Sequence, residues 1–174
     1  MLEKFSPFGQ EEKDMVRTEI SLFLKNAPGE LGRLSSLLAN ENINIDALMI
    51  QDVSSYVQEL FQARGKSLKR IASVASYNSM RKDSAQFALI RLLVDQTDKA
   101  IDLLSKNDYL FDIMPVIVIE LENRPGSLAE ITTQFGKEKI NINYVYGSVS
   151  PRGKKCLFVV CPEDIELATK IFKS

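Results

Sequence analysis

The chain contains no histidine and only two cysteines among its 174 residues. Without histidine it cannot build a Ser-His-Asp triad, a Cys-His nucleophile pair or a zinc site with mixed Cys and His ligands. Acidic residues such as Glu30, Asp46 and Glu130 are present, but they form no legible pair of nucleophile and base and no metal-ligand cluster. We therefore expect a protein that is not an enzyme and that carries no metal ion and no cofactor.

Long apolar runs are also missing. The longest, from Ile113 to Leu121, is interrupted by Pro115 and Glu120 and is far shorter than the roughly 20 residues of a membrane-spanning helix. The N-terminal sequence MLEKFSPFGQEEKDM lacks the apolar core of a secretory signal. A net charge of −1 argues against a large contact with nucleic acid or with an anionic membrane. These absences predict a cytoplasmic protein with neither a nucleic acid nor a membrane as partner.

The two cysteines, Cys156 and Cys161, are five residues apart with the apolar sequence LFVV between them. On a strand, an odd separation places them on opposite faces. Because free cysteine usually behaves as a small buried apolar residue, we expect both to serve as packing residues.

What the chain does contain is a repeated segment. Residues 26–45 read NAPGELGRLSSLLANENINI and residues 123–142 read NRPGSLAEITTQFGKEKINI; they align without a gap at an offset of 97, with eight of twenty positions identical. Composition alone would give roughly one or two identities in such a window. The chain therefore holds two copies of one unit, and its length allows two small domains.

Hydrophobic spacing predicts the same order of elements in both copies. Strands are predicted where apolar residues alternate or run together, over residues 17–25, 44–53, 87–95, 109–113, 116–121, 141–149 and 156–161. Helices are predicted where apolar residues recur every three or four positions, beginning near Leu31, Thr97, Leu128 and Pro162. The order predicts an α+β fold of two ferredoxin-like βαββαβ units, each with both helices on one face of an antiparallel sheet.

The two copies differ in two respects. Between its second and third strands the first copy carries an insert of about residues 54–86, whose basic residues we interpret as a solvated helix face. The second copy has no sequence for a last strand, so the strand over residues 116–121 would lie at an unpaired edge. We expect this edge to be covered by another chain, by the insert or by the N-terminal segment around Phe5 and Phe8. The predicted boundaries are an N-terminal extension over residues 1–16, a first unit over 17–113 and a second unit over 114–174.

The sequence Asn-x-Pro-Gly separates the first strand from the first helix in both copies, at residues 26–29 and 123–126. Proline fixes φ and glycine accepts a positive φ, which predicts a type II turn. The following helix begins with free backbone N–H groups, which favour a carboxylate or a phosphate. The same residue types are ordinary turn formers, so a purely structural role stays open.

Both ISLFLKNAPGELGRLSSLLANENINI and IELENRPGSLAEITTQFGKEKINI resemble the ACT domain, the small-ligand regulatory module of amino-acid metabolism. The later segments FALIRLLVDQTDKAIDLL and CLFVVCPEDIELATKI are similar to the third strand and second helix of that family. The arrangement is similar to that of small stand-alone tandem ACT proteins. The resemblance implies a non-catalytic regulatory protein that holds an amino acid between paired ACT units and forms a homodimer or a higher homo-oligomer.

The resemblance also implies where the ligand binds. The candidate site consists of the two turns, the residues that begin the following helix and the start of the second strand in each copy. Its residues are Asn26, Ala27, Pro28, Gly29, Glu30, Leu31, Asn44, Ile45, Asp46, Asn123, Arg124, Pro125, Gly126, Ser127, Leu128, Asn141, Ile142 and Asn143. Since Ala27 in the first copy corresponds to Arg124 in the second, the two sites need not bind the same ligand. Arg124 is suited to pair with a carboxylate.

An alternative function is that of a regulatory subunit, which binds and controls an enzyme of amino-acid biosynthesis. The small subunit of acetolactate synthase is such a protein, and its length is similar to that of this chain. In that case the insert and the unpaired edge would form the docking surface.

Overall fold

The computed structural model describes residues 15–53, 87–149 and 154–172. Residues 1–14 of the predicted extension and the predicted insert over residues 54–86 lie outside these ranges. Within them, no helix is long and apolar enough to cross a membrane. The elements are, in chain order, β1 (Val16–Lys25), α1 (Glu30–Asn40), β2 (Ile45–Asp52), β3 (Phe87–Val94), α2 (Thr97–Lys106), β4 (Phe111–Glu122), α3 (Ser127–Lys137), β5 (Ile142–Val149), β6 (Lys155–Pro162) and α4 (Ile165–Ile171).

The first compact unit is formed by Ile20–Asp112. Its strands lie in the order β2-β3-β1, and both pairs are antiparallel. Every second residue of β1 faces the helices, because successive side chains of a strand point to opposite faces. The buried residues of this core are Ile20, Leu22, Leu24, Leu34, Leu38, Ile43, Ile90, Leu92, Val94, Ala100 and Leu104.

The second compact unit consists of the described residues up to Glu19 and from Ile113 onward. Strands β4, β6 and β5 follow one another in its sheet, again antiparallel. The ring of Phe135 on α3 meets that of Phe172 edge to face, with 6.2 Å between the ring centroids. The α+β, ferredoxin-like fold class is therefore confirmed. The buried residues of this core are Met15, Ile117, Ile119, Leu121, Ile131, Phe135, Ile140, Val160 and Ala168.

Strand β1 contributes to both units. Its residues as far as Glu19 belong to the second unit, and those from Ile20 onward belong to the first. In the strand order β1 is the neighbour of β4, and Met15 packs into the second core. The start of β1 thus fills the position beside β4 that a last strand occupies in a ferredoxin-like unit. The sequence analysis expected another chain, the insert or the N-terminal segment to cover the edge of β4, and it did not predict β1. The ten-residue length of β1 allows this strand to reach both units.

Strand β4 also differs from the prediction. The sequence predicts separate strands over residues 109–113 and 116–121, whereas the structure has a single strand of 12 residues that passes through Pro115. The prediction of two strands is wrong because a proline does not necessarily end a strand. Pro115 lacks one backbone N–H donor, but its φ is compatible with extended structure.

The two cysteines are buried free thiols, as predicted. Cys156 is in register with Leu121, which belongs to the second core, and Cys161 is in register with Tyr144 on the opposite face of the sheet. That opposite face is buried as well, since Val116 is 0% exposed and Val118 is 3% exposed.

The first and third helices end in the same way. Asn42 after α1 and Lys139 after α3 have φ values of 56° and 58°. The next residues turn back on the helix, since Ile43 donates its N–H to Leu38 at 3.0 Å and Ile140 donates its N–H to Phe135 at 2.9 Å. Helices commonly end at a residue in this left-handed conformation. In both copies the next strand begins a few residues later.

Candidate functional site

The two Asn-x-Pro-Gly segments form the predicted type II turns. Gly29 has a φ of 93° and Gly126 a φ of 95°. The turns are closed by the N–H of Glu30, 3.3 Å from the carbonyl oxygen of Ala27, and by the N–H of Ser127, 3.4 Å from that of Arg124. Only glycine adopts this backbone conformation without strain, so the repeated glycine has a structural reason in both copies.

The helices that follow these turns begin without a side-chain cap. Gly29 and Gly126 occupy the N-cap positions of α1 and α3, and neither helix receives a side-chain hydrogen bond there. By contrast, α4 is capped by Asp164, whose Oδ1 accepts the N–H of Leu167 at 2.8 Å. The N–H groups of Glu30 and Ser127 close the turns, and the next N–H groups of α1 and α3 are disposed to bind an external acceptor, preferably an anion.

The first turn is open to solvent. Asn26 is exposed and its side chain has no hydrogen-bond partner among the residues that the structure describes. Glu30 faces Arg33 across 3.5 Å, which is a long and weak contact. Leu31 is partly buried and packs against the first core, so it anchors the start of α1.

The second turn is crossed by a network of ion pairs. Arg124 holds both carboxylate oxygens of Glu130, with Nη1 and Nη2 at 2.9 and 3.0 Å, and its Nε lies 3.1 Å from Glu122. The pairing of Arg124 with a carboxylate was expected, but the partners are carboxylates of the chain itself. All three side chains are substantially exposed, so the network adds little stability.

Titration of Glu130 provides a direct check on this network. The hydrogen bond from Arg124 holds the pKa of Glu130 below its ordinary value, and the hydrogen bonds to Glu130 and Glu122 raise the pKa of Arg124. A carboxyl whose pKa is lowered by folding stabilises the fold above its unfolded pKa, and this contribution disappears as the pH falls through the folded pKa.

We expect Arg124→Ala to return the pKa of Glu130 to its ordinary range, which an NMR titration of the side-chain carboxyl carbon measures. Arg33→Ala serves as the control, since it removes an exposed arginine from α1, the corresponding helix of the first copy. An unchanged Glu130 titration in Arg124→Ala would show that the ion pair is not formed in solution.

The starts of β2 and β5 are stabilised by local hydrogen bonds. Asn44 donates its backbone N–H to Asp95 at 2.9 Å and its side-chain amide to Asp46 at 3.0 Å. In the second copy the amide of Asn143 lies 3.5 Å from the carbonyl of Pro162, and the side chain of Asn141 is exposed. In this structure Asn44 and Asp46 therefore stabilise the start of β2. Ile45 and Ile142 are partly buried and pack against the first and the second core.

Within each copy, the turn and the strand start lie at opposite ends of a helix. Helix α1 has 11 residues, as does α3, which corresponds to roughly 16 Å at 1.5 Å per residue. A single copy therefore does not bring its own two sets of candidate residues together. A ligand that contacts both sets requires a second unit, which stays a prediction.

The second unit contains a buried carboxylate that the sequence analysis did not predict. Glu19 is 0% exposed; its Oε1 accepts the hydroxyl of Tyr144 at 2.6 Å and its Oε2 accepts that of Tyr146 at 2.8 Å. Burial, followed by the hydrogen bond to Glu19, raises the pKa of Tyr144, so this hydroxyl stays protonated and donates. The alternation of Tyr144 and Tyr146 on β5 was the one available signal, because it places both hydroxyls on one face.

Comparison with known proteins supports part of the resemblance. The ACT domain family model matches residues 115–174. Protein BT0572 from Bacteroides thetaiotaomicron has a similar structure, with a TM-score of 0.68, 26% sequence identity and coverage of 91% of this chain and 88% of that chain. The ligand-free regulatory subunit of aspartate kinase from Thermus thermophilus shares the fold, with a TM-score of 0.56, 13% identity and coverage of 92% and 93%. No curated protein sequence matches the chain.

Proposed function

We propose that the chain is a non-catalytic regulatory protein of two ACT units that binds a free amino acid at its Asn-x-Pro-Gly turns. The observation that carries the proposal is the helix start that occurs in both copies, with a left-handed glycine at the N-cap and no capping side chain. Such a start presents several N–H groups to one carboxylate, and the helix dipole adds to the attraction.

Three further observations support an amino acid as the ligand. The exposed amide of Asn26 provides a donor and an acceptor beside the first turn, which suits a zwitterion. The ACT match covers the second copy, and the fold is shared with a regulatory subunit of aspartate kinase. In the proposed mechanism the bound amino acid lies between paired ACT units of a homo-oligomer, and Asn44 or Asn141 of the paired unit contacts it.

The test is a thermal-shift screen of the twenty amino acids, followed by calorimetry on the one that gives the largest shift. We expect the double variant Asn26→Ala/Asn123→Ala to lose binding of that amino acid with an unchanged far-UV circular dichroism spectrum. Asn107→Ala serves as a control, because this exposed asparagine follows α2 and belongs to neither turn. If no amino acid shifts the melting temperature of the wild-type protein, the proposed function is wrong.

A further inference from the structure

We propose that Met114 is an oxidation site, at which a hydroperoxide converts the thioether to a sulfoxide that competes with Glu19 for the hydroxyl of Tyr144. Oxidation thereby weakens the hydrogen bonding of β5 to Glu19 on β1. The three residues all belong to the second unit, and none of them is a candidate ligand residue. The inference is therefore independent of the proposed amino-acid binding.

The surroundings of the Met114 sulfur are the first support. Its Sδ lies 3.0 Å from the hydroxyl oxygen of Tyr144, and that hydroxyl lies 2.6 Å from Oε1 of Glu19. Burial raises the pKa of Tyr144, so the hydroxyl keeps its single proton. A carboxylate is a much better acceptor than a thioether, and the proton is therefore directed to Glu19. The unshared electrons of the Tyr144 oxygen are left to face the sulfur.

Access from solvent is the second support. Met114 is partly exposed, whereas Cys161, whose Sγ lies 3.9 Å from the same Sδ, is only 4% exposed. An oxidant from solvent therefore reaches the thioether more readily than the neighbouring thiol. Met49 on β2 is also partly exposed, but its sulfur has no hydrogen-bond contact among the residues that the structure describes. It provides a comparison for the effect of the surroundings.

The reaction requires only the peroxide. A lone pair of the Met114 sulfur attacks one oxygen of hydrogen peroxide, so that an S–O bond forms and the O–O bond breaks. The departing hydroxide takes the proton of the new S–OH group, and the products are the sulfoxide and water. Positive charge develops on the sulfur during the attack. The Tyr144 oxygen, polarised by its hydrogen bond to Glu19, stabilises this charge from 3.0 Å away.

The product alters the hydrogen bonds of the buried carboxylate. A thioether is a weak acceptor, whereas a sulfoxide is polar. The added oxygen is bonded to a sulfur that already contacts the Tyr144 hydroxyl, so it competes with Glu19 for the proton. Glu19 is 0% exposed and accepts one hydroxyl at each oxygen, from Tyr144 and Tyr146. Loss of either donor leaves a buried charge less satisfied, which costs stability.

The first measurement is the rate of oxidation at each methionine. The full-length folded protein is treated with hydrogen peroxide, and sulfoxide formation is followed by peptide mass spectrometry. We expect Met114 to react severalfold faster than Met49, and Tyr144→Phe to remove most of that difference. Equal rates at Met114 and Met49 in the wild-type protein would overturn the inference, as would an unchanged Met114 rate in Tyr144→Phe.

The second measurement is the melting temperature of the oxidised protein. Peroxide should lower it by several degrees, and methionine sulfoxide reductases should restore it. Met114→Leu should lose most of this shift, while Met49→Leu should retain it. A shift of equal size in the wild-type protein and in Met114→Leu would show that oxidation acts elsewhere, and the inference would then be wrong.

Tyrosine variants test the competition for the hydroxyl. The shift should largely disappear in Tyr144→Phe, because this variant has no hydroxyl for the sulfoxide to take from Glu19. Tyr146→Phe is the matched control, since Tyr146 donates to the other oxygen of Glu19, and it should retain the shift. Equal shifts in the two variants would contradict the competition. None of these measurements involves an amino acid, so their outcome is separate from that of the proposed function.

Discussion

Replacing Glu19 with alanine is expected to lower the free energy of unfolding by about 3–5 kcal/mol, because two charge-assisted hydrogen bonds are lost together. Tyr144 and Tyr146 would both lose the carboxylate oxygen that accepts their hydroxyl, and Glu19 itself is 0% exposed, so water does not readily take its place. A loss of this size is a large fraction of the 5–15 kcal/mol by which domains are usually stable. Urea unfolding followed by circular dichroism measures it.

Two controls separate the hydrogen bonds from the loss of a side chain. Glu163→Ala removes an exposed glutamate that follows β6, and it should change stability by less than about 0.5 kcal/mol. The double-mutant cycle of Glu19→Ala with Tyr146→Phe should show a coupling energy of about 1 kcal/mol or more. An additive cycle would mean that the hydroxyl and the carboxylate do not interact in solution.

Replacing Gly147 with alanine is expected to destabilise the second unit by about 1–3 kcal/mol through overpacking. A Cβ at this position would lie 2.6 and 2.7 Å from two ring carbons of Phe158 and 3.0 Å from the carbonyl oxygen of Leu157. Phe158 is in register with Gly147 on the neighbouring strand and packs against the second core. Either the ring must shift against that core or the two strands must move apart, and both changes cost stability.

Gly136→Ala is the matched control for this substitution. Gly136 lies within α3, and a Cβ there would meet nothing within 4 Å. The same change should therefore stabilise the protein by up to about 1 kcal/mol, since alanine is the better helix former. Phe158→Leu should relieve much of the penalty at Gly147. If both alanine variants shift the urea midpoint in the same direction, the overpacking argument is wrong.

The elements that the sequence predicts well are those with a strong local signal. The alternation in β1, the helical spacing in α1 and the Pro-Gly turns all have direct counterparts in the structure, at bounds within one or two residues. These features depend on neighbours in sequence, which the repeat presents twice. The turn residues of the candidate site were found for the same reason.

The features that escaped prediction depend on residues far apart in sequence. Nothing near Glu19 indicates a buried carboxylate, since the pattern around it is that of an ordinary strand. The covering of β4 by the start of β1 requires knowledge of pairing across the whole chain. Ser127 looks like a typical turn residue, and only its burial distinguishes it. The space around Gly147 is likewise set by Phe158, which lies on another strand.

The division of β1 between the two units imposes an order on their assembly during synthesis. The hydrogen bonds to Glu19 come from residues 125 and 127 positions later in the chain. At about 5–20 residues per second, Glu19 is made roughly 6–25 seconds before Tyr144. The first unit is a continuous segment, Ile20–Asp112, and its chain is complete well before that time. The whole first unit is therefore synthesised before Tyr144 and Tyr146. Until then the segment that ends at Glu19 has been synthesised but lacks these two hydrogen-bond donors.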